Sequence, residues 1–425
     1  MIHFRDQSTA DFETAFISAV GFKRPTSAVY VYVRIKKLFL FRLACSLENP
    51  KGVVLFERGE RLGKKLSATG NGQGNLTNLG VLGAEYFSVS KTSSLVNSAI
   101  TAFDDKSMTA FFRALGVLCI ADERGRVYPS GRQASALTDA LRFCVARKGI
   151  ATRLKTQIIS IEKEETGFVL TYAKEEGQGR VYAENVVLCA GGKAAKNFGT
   201  DGNAYALAQG LGHTVTALYP SLVQLKTDVK YTKTLKGIRV NDGVVRVQTP
   251  TRSLSLQGDI IFTDYGVSGD AVFRLSAFIT SELSSRPCEI FIDFLPQYEE
   301  EEIYALLQAK GKAFPEMEKA ELLFGVVNNQ IGRAVMRRAE NDFKRAAKLT
   351  KAFPLTVTGS LGFDYAQVTK GGIPCGEVTE NLESRKTPNL YFAGEILDVD
   401  GQCGGFNLQW AYSSSQVVAK ALNSK

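Results

Sequence analysis

The pattern of apolar and polar residues predicts a chain that begins with two buried strands and continues with helices and further strands. Runs of β-branched and aromatic residues place the first two strands at residues 28–35 and 52–56. Helical spacing follows at residues 94–115, and residues 125–149 combine a loop with a helix. The apolar face of that helix carries Ala134, Leu137, Leu141 and Val145. Later strands are predicted at residues 154–161, 167–172 and 186–188.

The pattern changes between residues 194 and 353, where short strands with turn signals surround a helical part. The strands are predicted at residues 215–216, 221–225, 243–247 and 260–263. The helices are predicted at residues 271–283, 299–309, 316–324 and 330–349. This change indicates a substrate-side domain inserted into a first domain, which then occupies residues 1–193 and 354–425. We expect an α/β fold whose parallel sheet resumes after Pro354.

The C-terminal run at residues 389–421 combines a short buried strand, a turn at Gly394 and an acidic loop with the pair Gly404-Gly405. A helix is predicted to open near Asn407. Glycines directly before a helix start let the backbone approach a ligand, and the N–H groups there favour an electron-rich or anionic partner. We therefore predict a cofactor-binding site in this segment. The alternative is a tight connection whose glycines serve only turn geometry.

A carboxylate, Glu57, stands at the end of the second predicted strand. Dinucleotide-binding folds hold the adenosine ribose at this place, about 20 residues beyond the first glycine of the G-x-G-x-x-G fingerprint. The positions expected for the three glycines hold Lys37, Phe39 and Arg42, so the usual phosphate loop is missing. Either this segment is a divergent solution, or it is not the ancestral one, for instance through a shifted reading frame that recovers near residue 43. We favour the second interpretation.

A polar loop, ERGERLGKKLSATGNGQGNLTN, follows at residues 57–78. Its glycines at positions 59, 63, 70, 72 and 74 alternate with polar residues, and the loop is too long for a plain connection. It suits a large ligand with phosphate, ribose and ring polar atoms. The alternative is a solvent-exposed basic loop.

The composition is that of a globular chain with two or three domains, at 425 residues, 44% hydrophobic and 22% charged. The net charge is +9, but seven Lys and Arg oppose three Asp and Glu within the first 42 residues. Almost half of the excess is thus local, which argues against a general nucleic-acid partner.

The seven scattered cysteines form no CxxC pair, which is typical of reduced thiols in a cytoplasmic protein. The two histidines, His3 and His213, are too few for an ordinary His-based zinc site or a Ser-His-Asp site. His213 follows a predicted helix and is expected to cap it or to lie on the surface. No uncharged apolar run of about 18 residues occurs, so we predict no membrane span.

Five segments, in order along the chain, together resemble one family. They are GKKLSATGNGQGNLTN, VVLCAGGKAA with GTDGNAYALAQGLGH, FTDYGVSGDAVFRLS, PLTVTGSLGFDYAQVTKGGI and AGEILDVDGQCGGFNLQWAYSSSQ. They look like the FAD-binding flavoprotein family that includes aminoacetone oxidase and a bile-acid enone reductase, and the resemblance covers residues 43–425. The resemblance implies a Rossmann-like FAD-binding domain with an inserted β-barrel-like plus helical domain. It also implies FAD as cofactor, NAD(P)H as a candidate electron donor and a small-molecule substrate.

Two departures from the family pattern stand out. The N-terminal glycine fingerprint is absent, and the Arg-Cys pair of the family's glycine-rich loop stands here as Gln73-Gly74. In the family, the turn after the strand at 186–188 lies by the cofactor and the neighbourhood of Ile158 and Ile159 lies by the adenine. Periodicity alone places both isoleucines in a strand core.

The patterns and the resemblance together predict one set of cofactor-binding residues. The set is Glu57, Arg58, Lys64, Ser67, Gly70, Asn71, Gly72, Asn75, Thr77, Ile159, Ala190, Gly191, Gly192, Gly394, Glu395, Asp398, Gly404, Gly405, Asn407 and Leu408.

Several of these residues have expected roles. Backbone N–H groups at residues 405–408 would stabilise negative charge on the pyrimidine side of a flavin. Glu395 and Asp398 would hold ribityl or phosphate-side hydroxyls, or order the turn. Lys370 is a candidate for the flavin's face or a solvated loop residue. Asp264 and Tyr265 are candidate acids, although a structural turn is favoured for both, and no catalytic residue is assigned.

Three functions remain open from the sequence. The first is an FAD-dependent oxidoreductase that moves hydride between flavin N5 and a small organic substrate, as an enone reductase or an amine oxidase. The second is a folded, non-catalytic relative that has lost FAD through its altered N-terminus. The third, suggested by the positive charge, is a flavoprotein that acts on RNA.

Overall fold

The computed structural model describes residues 30–33, 43–44, 46–48, 50, 52–90, 94–248, 253–283 and 286–425. The strands are β1 (Tyr30–Val33), β2 (Val53–Phe56), β3 (Thr77–Asn78), β4 (Tyr86–Phe87), β5 (Cys119–Ala121), β6 (Arg126–Pro129), β7 (Ala151–Arg153), β8 (Gln157–Lys163), β9 (Phe168–Lys174), β10 (Gly177–Ala183), β11 (Asn185–Leu188), β12 (Tyr219–Ser221), β13 (Leu225–Thr227), β14 (Arg239–Gln248), β15 (Ser253–Phe262), β16 (Gly266–Ser268), β17 (Cys288–Asp293), β18 (Phe353–Ser360), β19 (Val368–Lys370), β20 (Leu390–Phe392) and β21 (Asp400–Gly401). The α-helices are α1 (Ser94–Ala102), α2 (Asp105–Ala114), α3 (Ala134–Arg147), α4 (Asn203–Gly210), α5 (Asp270–Ile279), α6 (Glu300–Ala313), α7 (Asn329–Arg338), α8 (Phe343–Lys351) and α9 (Phe406–Asn423).

A five-stranded parallel sheet, in the order β20-β11-β1-β2-β7, lies at the centre of the first domain. The sequences of β11 (NVVL) and β20 (LYF) are nearly all apolar and fully buried, as expected for strands covered on both faces. The chain runs from β1 outward to β2 and β7, and then returns to β11 on the other side of β1. This reversal creates a crevice at the carboxyl edge of the sheet, where open α/β folds bind ligands.

A closed six-stranded barrel, β13-β16-β15-β14-β17-β18, forms the second domain together with helices α5 to α8. This confirms the predicted α/β fold with an inserted barrel and helical part. The barrel has its own core, whose buried members run from Leu225 to Val357. The first core instead draws on residues 43–211 and 373–422.

We infer narrower boundaries for the insertion than 194 and 353 from the elements at its two ends. Helix α4 packs into the first core through Tyr205 and Ala208, and β18 pairs antiparallel with β17 and β13 in the barrel. These contacts favour an insertion at residues 225–360. The parallel sheet resumes after Pro354, as predicted, with β20 as its next strand.

Two predicted helices are each broken in the structure. The helix expected at 94–115 is interrupted because Asp104 adopts an extended conformation and its side chain accepts a hydrogen bond from the Ser107 N–H at 2.9 Å, which starts α2. The helix expected at 330–349 ends because Glu340 and Asn341 have φ of 54° and 61°, after which Asp342 caps α8.

Three other predictions are corrected. The helix expected at 316–324 is only a 3₁₀ turn at Lys319–Glu321. The strands expected at 215–216 and 221–225 lie instead at β12 and β13. The apolar face predicted for α3 is confirmed, because all four of its residues are buried.

Helix α9 is unusual because several buried positions are polar, including Gln409 and Ser413. The Gln409 side chain accepts a hydrogen bond from Thr77 Oγ1 at 2.5 Å and donates one to the Phe103 carbonyl at 2.7 Å. Ser413 Oγ donates to the same carbonyl, and Ser414 Oγ accepts from the Gly394 N–H at 2.9 Å. These bonds fix the position of α9 against β3, the end of α1 and the turn after β20.

The described residues contain neither a membrane-spanning helix nor a metal-binding group of side chains. No helix among them is long and apolar enough to cross a membrane. They also hold no group of three or more His, Cys, Asp or Glu side chains placed to bind a metal ion.

Candidate functional site

The carboxylate predicted at the tip of β2 lies at the carboxyl edge of the parallel sheet. Glu57 is 2% exposed, and its Oε1 accepts a hydrogen bond from the Gly59 N–H at 2.6 Å. Its backbone is bonded on both sides to residues 153–156, which lead directly into β8. The carboxylate is therefore held at the edge where a ribose would lie.

Two other predicted residues lie near this tip. Arg58 forms an ion pair with Asp201 at 2.6 Å and donates to the Gly199 carbonyl, so it ties β2 to the loop before α4. Ile159 occupies the position at which the pairing of β8 with β9 shifts, and its side chain is 41% exposed, whereas Ile158 is buried. The expectation that both isoleucines belong to a strand core is thus wrong for Ile159.

The glycine-rich loop contains two adjacent lysines, the predicted cofactor-binding residue Lys64 and its neighbour Lys65. Lys64 is exposed, whereas Lys65 is 8% exposed and its Nζ lies 3.5 Å from Glu395 Oε2. Lys65 Nζ also donates to the Ala194 carbonyl at 3.3 Å. One sequence signal could have indicated that Lys65 is buried. It lies three residues after Leu62, and this spacing places both side chains on one side of a helical turn.

The rest of this loop turns sharply at the surface. Gly70, Asn71 and Gly72 are exposed and have φ of 58°, 54° and 83°. Ser67 Oγ donates to the Gly63 carbonyl at 3.3 Å, so this hydroxyl bonds within the loop. The loop therefore presents backbone at its turn, as a ligand cradle requires, while its predicted side chains are exposed or bonded locally.

Glu395 joins the glycine turn after β11 to the turn after β20. Its Oε1 accepts a hydrogen bond from the Thr369 N–H at 2.8 Å. A Cβ on Gly191 would lie 3.5 Å from Glu395 Oε2, and one on Gly192 would overlap the Thr369 hydroxyl. Ala190 is buried beside them. The predicted residues of both turns are thus brought together.

The start of α9 is built on Gly405, which has φ of 105°. A Cβ there would overlap the Thr77 backbone and lie 2.6 Å from Asn75 Oδ1. Asn75 is 9% exposed, and its Oδ1 has no hydrogen-bond partner among the described residues. An acceptor of this kind beside the N–H groups of a helix start fits a ligand with both donor and acceptor atoms, as the pyrimidine edge of a flavin has.

Other predicted residues support this helix start from behind. The Asn407 side chain accepts from the Gly401 N–H at 2.9 Å and donates to the Gly401 carbonyl at 2.7 Å. The Gly404 carbonyl accepts from Asn78 Nδ2 at 3.2 Å, and Leu408 is 8% exposed. These contacts order the loop before α9.

Asp398 holds a different loop. Its two oxygens accept hydrogen bonds from Ser88 Oγ at 2.8 Å and from the N–H groups of Val89 at 2.9 Å and Ser90 at 2.7 Å. The carboxylate is fully buried. This arrangement favours the alternative in which Asp398 orders a turn.

A mostly apolar pocket lies beside the loop that leads to α9. It contains about 290 Å³ of empty space, part of which is open to solvent. Its lining residues are Phe87, Leu222, Leu256, Arg274, Ala277, Phe278 and Gln402. These residues come from both domains, and ligand sites are common at such interfaces. The sequence patterns did not reveal this pocket because its residues are distant along the chain.

A buried acid, Asp400, lies next to this pocket. It is 1% exposed, and its Oδ2 is 3.4 Å from Ser221 Oγ. Burial raises the pKa of the Asp400 carboxyl to about 7, although the nearby Lys370 ammonium acts in the opposite direction. Lys370 itself donates to the carbonyl of the pocket-lining residue Ala277 at 2.9 Å.

The two acid candidates from the sequence lie elsewhere. Asp264 is exposed and forms an ion pair with Lys236 at 2.7 Å, which lowers the pKa of its carboxyl. Tyr265 accepts the Thr227 N–H at its backbone carbonyl, next to β16. Both observations support the structural turn that the sequence favoured.

His213 is fully buried, which corrects its prediction as a helix cap or surface residue. Its Nδ1 lies 2.7 Å from Glu377 Oε2, and its Nε2 lies 2.7 Å from Ser384 Oγ. Burial lowers the pKa of His213, and hydrogen bonds from Lys386 and Thr214 help lower the pKa of Glu377 to about 2 despite partial burial. The group joins the segment after α4 to residues 377–384 and is structural.

The pH dependence of stability should report this group. A His pKa below its usual value means that, below about pH 6.5, the unfolded chain binds a proton that the folded chain does not, so stability falls on acidification. The depressed Glu377 pKa removes further stability between its usual range and about 2. We expect the free energy of unfolding of His213→Gln to fall less than that of the wild type between about pH 7 and about pH 5. Urea unfolding with the single tryptophan, Trp410, as probe measures this difference.

The matched control is Ser384→Ala, which removes the other hydrogen bond of His213 and no titrating group. It should lower the free energy of unfolding by about 1 kcal/mol at every pH and keep the wild-type pH dependence. An unchanged pH dependence in His213→Gln would contradict the assignment.

The chain is similar to known proteins over most of its length. A protein-family profile described as "HI0933-like protein Rossmann domain" matches residues 43–421. The chain is 32% identical to the 3-dehydro-bile acid delta(4,6)-reductase of Clostridium scindens, over 87% of this chain and 92% of that protein. It is 26% identical to the ribosomal RNA dihydrouridine synthase of Haemophilus influenzae, over 90% of this chain and 96% of that protein.

One solved structure, a 3-ketosteroid-delta4-(5alpha)-dehydrogenase from Rhodococcus jostii RHA1, matches with a TM-score of 0.48 at 15% identity. The match covers 92% of this chain and 96% of that one. The family profile begins at residue 43, directly after the stretch that lacks the glycine fingerprint.

Proposed function

Because the chain belongs to the HI0933-like Rossmann-domain family and is an FAD-dependent oxidoreductase, we propose that it reduces a carbon–carbon double bond conjugated to a carbonyl group. Two relatives support this choice over an amine oxidase. One is named a delta(4,6)-reductase of a 3-dehydro-bile acid, and the other a dihydrouridine synthase. Both names describe the reduction of a carbon–carbon double bond that is conjugated to a carbonyl group.

The residues at the sheet edge would hold FAD in the following way. Glu57 would accept hydrogen bonds from the adenosine ribose, and Ile159 would contact the adenine. Gly191, Gly192 and the Lys65–Glu395 pair would lie along the middle of the cofactor. When bound, FAD supplies a two-electron hydride step at its N5 position.

The start of α9 would hold the other end of the cofactor. N–H groups after Gly405 favour negative charge on the flavin pyrimidine, and Asn75 Oδ1 would accept a hydrogen bond from the ring. These contacts would make the flavin easier to reduce, because the reduced ring carries more negative charge at that edge.

The observation that carries the proposal is the apolar pocket beside this helix start. Its wall is formed by aliphatic and aromatic side chains, with Arg274 and Gln402 as polar members. Such a lining suits a small apolar molecule with few polar groups. NADH and NADPH are candidate reductants of the flavin.

The test uses the purified chain supplied with excess FAD. We expect flavin absorbance to remain with the protein after desalting. Anaerobic photoreduction should bleach this absorbance, and addition of an enone such as cyclohexenone or progesterone should restore it. Return of colour with O2 and formation of hydrogen peroxide from aminoacetone, without reaction with enones, would favour the amine-oxidase alternative. Protein that never retains FAD would favour the non-catalytic relative.

RNA is the second substrate candidate, because the chain is similar to ribosomal RNA dihydrouridine synthases and has a net charge of +9. The uracil ring also contains a double bond conjugated to a carbonyl. Reduction of uridine in an rRNA fragment, with salt-sensitive binding of that fragment, would support this candidate. Reaction with enones and no binding of the fragment would exclude it.

A further inference from the structure

We propose that Asp400 is the acid that gives a proton to the carbonyl oxygen of the bound substrate. This inference rests on the proposed reduction of a conjugated double bond and assigns to it a residue to which the sequence analysis gave no role. It starts from a buried carboxyl group that the fold does not need for its own hydrogen bonds.

The first observation is the incomplete bonding of this carboxyl. Asp400 is 1% exposed, and its Oδ1 has no hydrogen-bond partner among the described residues. Its Oδ2 has only the long contact of 3.4 Å with Ser221 Oγ. Asp398, two residues earlier, is equally buried but accepts three hydrogen bonds. A buried carboxyl left open in this way costs free energy unless a ligand completes it.

The second observation is that several neighbours of Asp400 line the apolar pocket or adjoin residues that line it. Phe87 is its direct partner across β4 and β21 and lines the pocket, as does Gln402 two residues on. Ser221 precedes the lining residue Leu222, and Lys370 donates to the carbonyl of the lining residue Ala277. The carboxyl therefore borders the place where the substrate is proposed to bind.

The surroundings of Asp400 raise the pKa of its carboxyl into the neutral range. Burial, together with the charges of Asp398 and Glu395, raises the pKa of Asp400 to about 7, even though Lys370 and Ser221 act to lower it. Tyr86 lies on the strand paired with β21, and burial raises its pKa, so it stays neutral. Half of the molecules would hold the proton near neutral pH, which suits an acid that gives a proton and regains it.

The reaction balances with one hydride and one proton. The substrate takes up hydride at the carbon remote from its carbonyl, the electron pair of the double bond shifts toward oxygen, and the cofactor is oxidised. The O–H bond of Asp400 breaks and an O–H bond forms on the substrate, which gives an enol. The enol becomes the ketone by proton exchange with water, and Asp400 recovers its proton from water.

The first test needs no bound cofactor. Infrared difference spectra of the chain without FAD, recorded through a pH titration, should show a protonated-carboxyl band that disappears near pH 7. Asp400→Asn should remove this band, whereas the matched variant Asp264→Asn, at an exposed and ion-paired carboxylate, should leave it unchanged. A band that persists in Asp400→Asn, or that is absent in the wild type, would overturn the protonation of Asp400.

The second test separates this proposal from the proposed function. Photoreduced protein is mixed with cyclohexenone, and the return of flavin absorbance is timed over a range of pH. In the wild type the rate should fall as the pH rises through about 7, and Asp400→Asn should be about 100-fold slower with no such pH dependence. Asp264→Asn should match the wild type.

Each outcome has one meaning. Fast reoxidation of both the wild type and Asp400→Asn, with the same pH profile, would overturn the role of Asp400 while leaving the enone-reductase function intact. Failure of the wild type itself to react with any enone would instead overturn the proposed function. Retention of FAD and an unchanged urea midpoint in Asp400→Asn would show that a lower rate does not come from misfolding.

Discussion

Replacing Gly405 by alanine is expected to prevent FAD binding and to lower the free energy of unfolding by about 3–5 kcal/mol. Gly405 has φ of 105°, which strains any residue with a Cβ, and the new methyl group would also overlap the Thr77 backbone and press on Asn75 Oδ1. Relief of this overlap would move the start of α9 away from β3. The N–H groups proposed to face the flavin would move with it.

The neighbouring glycine provides the matched control. Gly404 has φ of 114°, yet a Cβ there would meet nothing closer than 3.6 Å. Gly404→Ala should therefore cost only the backbone strain, about 1–2 kcal/mol, and should retain FAD. Urea unfolding followed by Trp410 fluorescence and the flavin-to-protein absorbance ratio measure the two effects. Equal losses in both variants would show that close packing at Gly405 is not what the site requires.

Restoring a glycine fingerprint after β1 is expected to raise the affinity for FAD by about 100-fold. Strand β1 ends at Val33 in the centre of the parallel sheet, and dinucleotide-binding folds carry their fingerprint glycines directly after the first strand. A fingerprint that begins at position 34 starts three residues earlier than the one expected from Glu57, whose glycine positions were 37, 39 and 42. Those three positions lie outside the described residues. The triple substitution Arg34→Gly, Lys36→Gly and Phe39→Gly creates G-x-G-x-x-G there.

The magnitude follows from the hydrogen bonds gained. Two backbone N–H groups that reach a charged pyrophosphate contribute about 1.5 kcal/mol each, or about 3 kcal/mol together, and each 1.4 kcal/mol is about tenfold in affinity. The control replaces the same three residues with alanine, which removes the same charge and most of the bulk but does not allow positive φ. Fluorescence titration with FAD measures both. Equal affinity in the two variants would mean that the backbone of this segment does not limit FAD binding.

The sequence predicted the fold well where each signal was local and repeated. Runs such as NVVL and LYF identified the central strands, and the spacing of Leu137, Leu141 and Val145 identified α3. The helix breaks were missed because one capping carboxylate, Asp104, outweighs a periodic pattern that continues on both sides. The sequence did not assign β18 to the barrel because this strand is apolar like a core strand of either domain, and only its pairing places it there.

The candidate site was predicted in part for the same reason. Glycines before a helix and a carboxylate after a strand are local signals, and the structure places Gly191 next to Glu395 and Gly405 next to Asn75. Lys65 and Asp400 depend instead on partners far along the chain. Lys65 reaches Glu395, and Asp400 meets Ser221 and Phe87, so no window of sequence contains either arrangement.

The buried polar bonds of α9 also set the order in which the site can form during synthesis. Gln409 bonds to Thr77, 332 residues earlier, and Ser413 bonds to Phe103, 310 residues earlier. The ribosome therefore synthesises almost the whole first domain, and all of the barrel, before it synthesises the α9 residues that complete the candidate cofactor site. The barrel can fold while the chain is still attached, but the first domain must wait with its apolar edge open. We expect chains stopped before residue 406 to expose that edge to chaperones and proteases, however complete their barrel is.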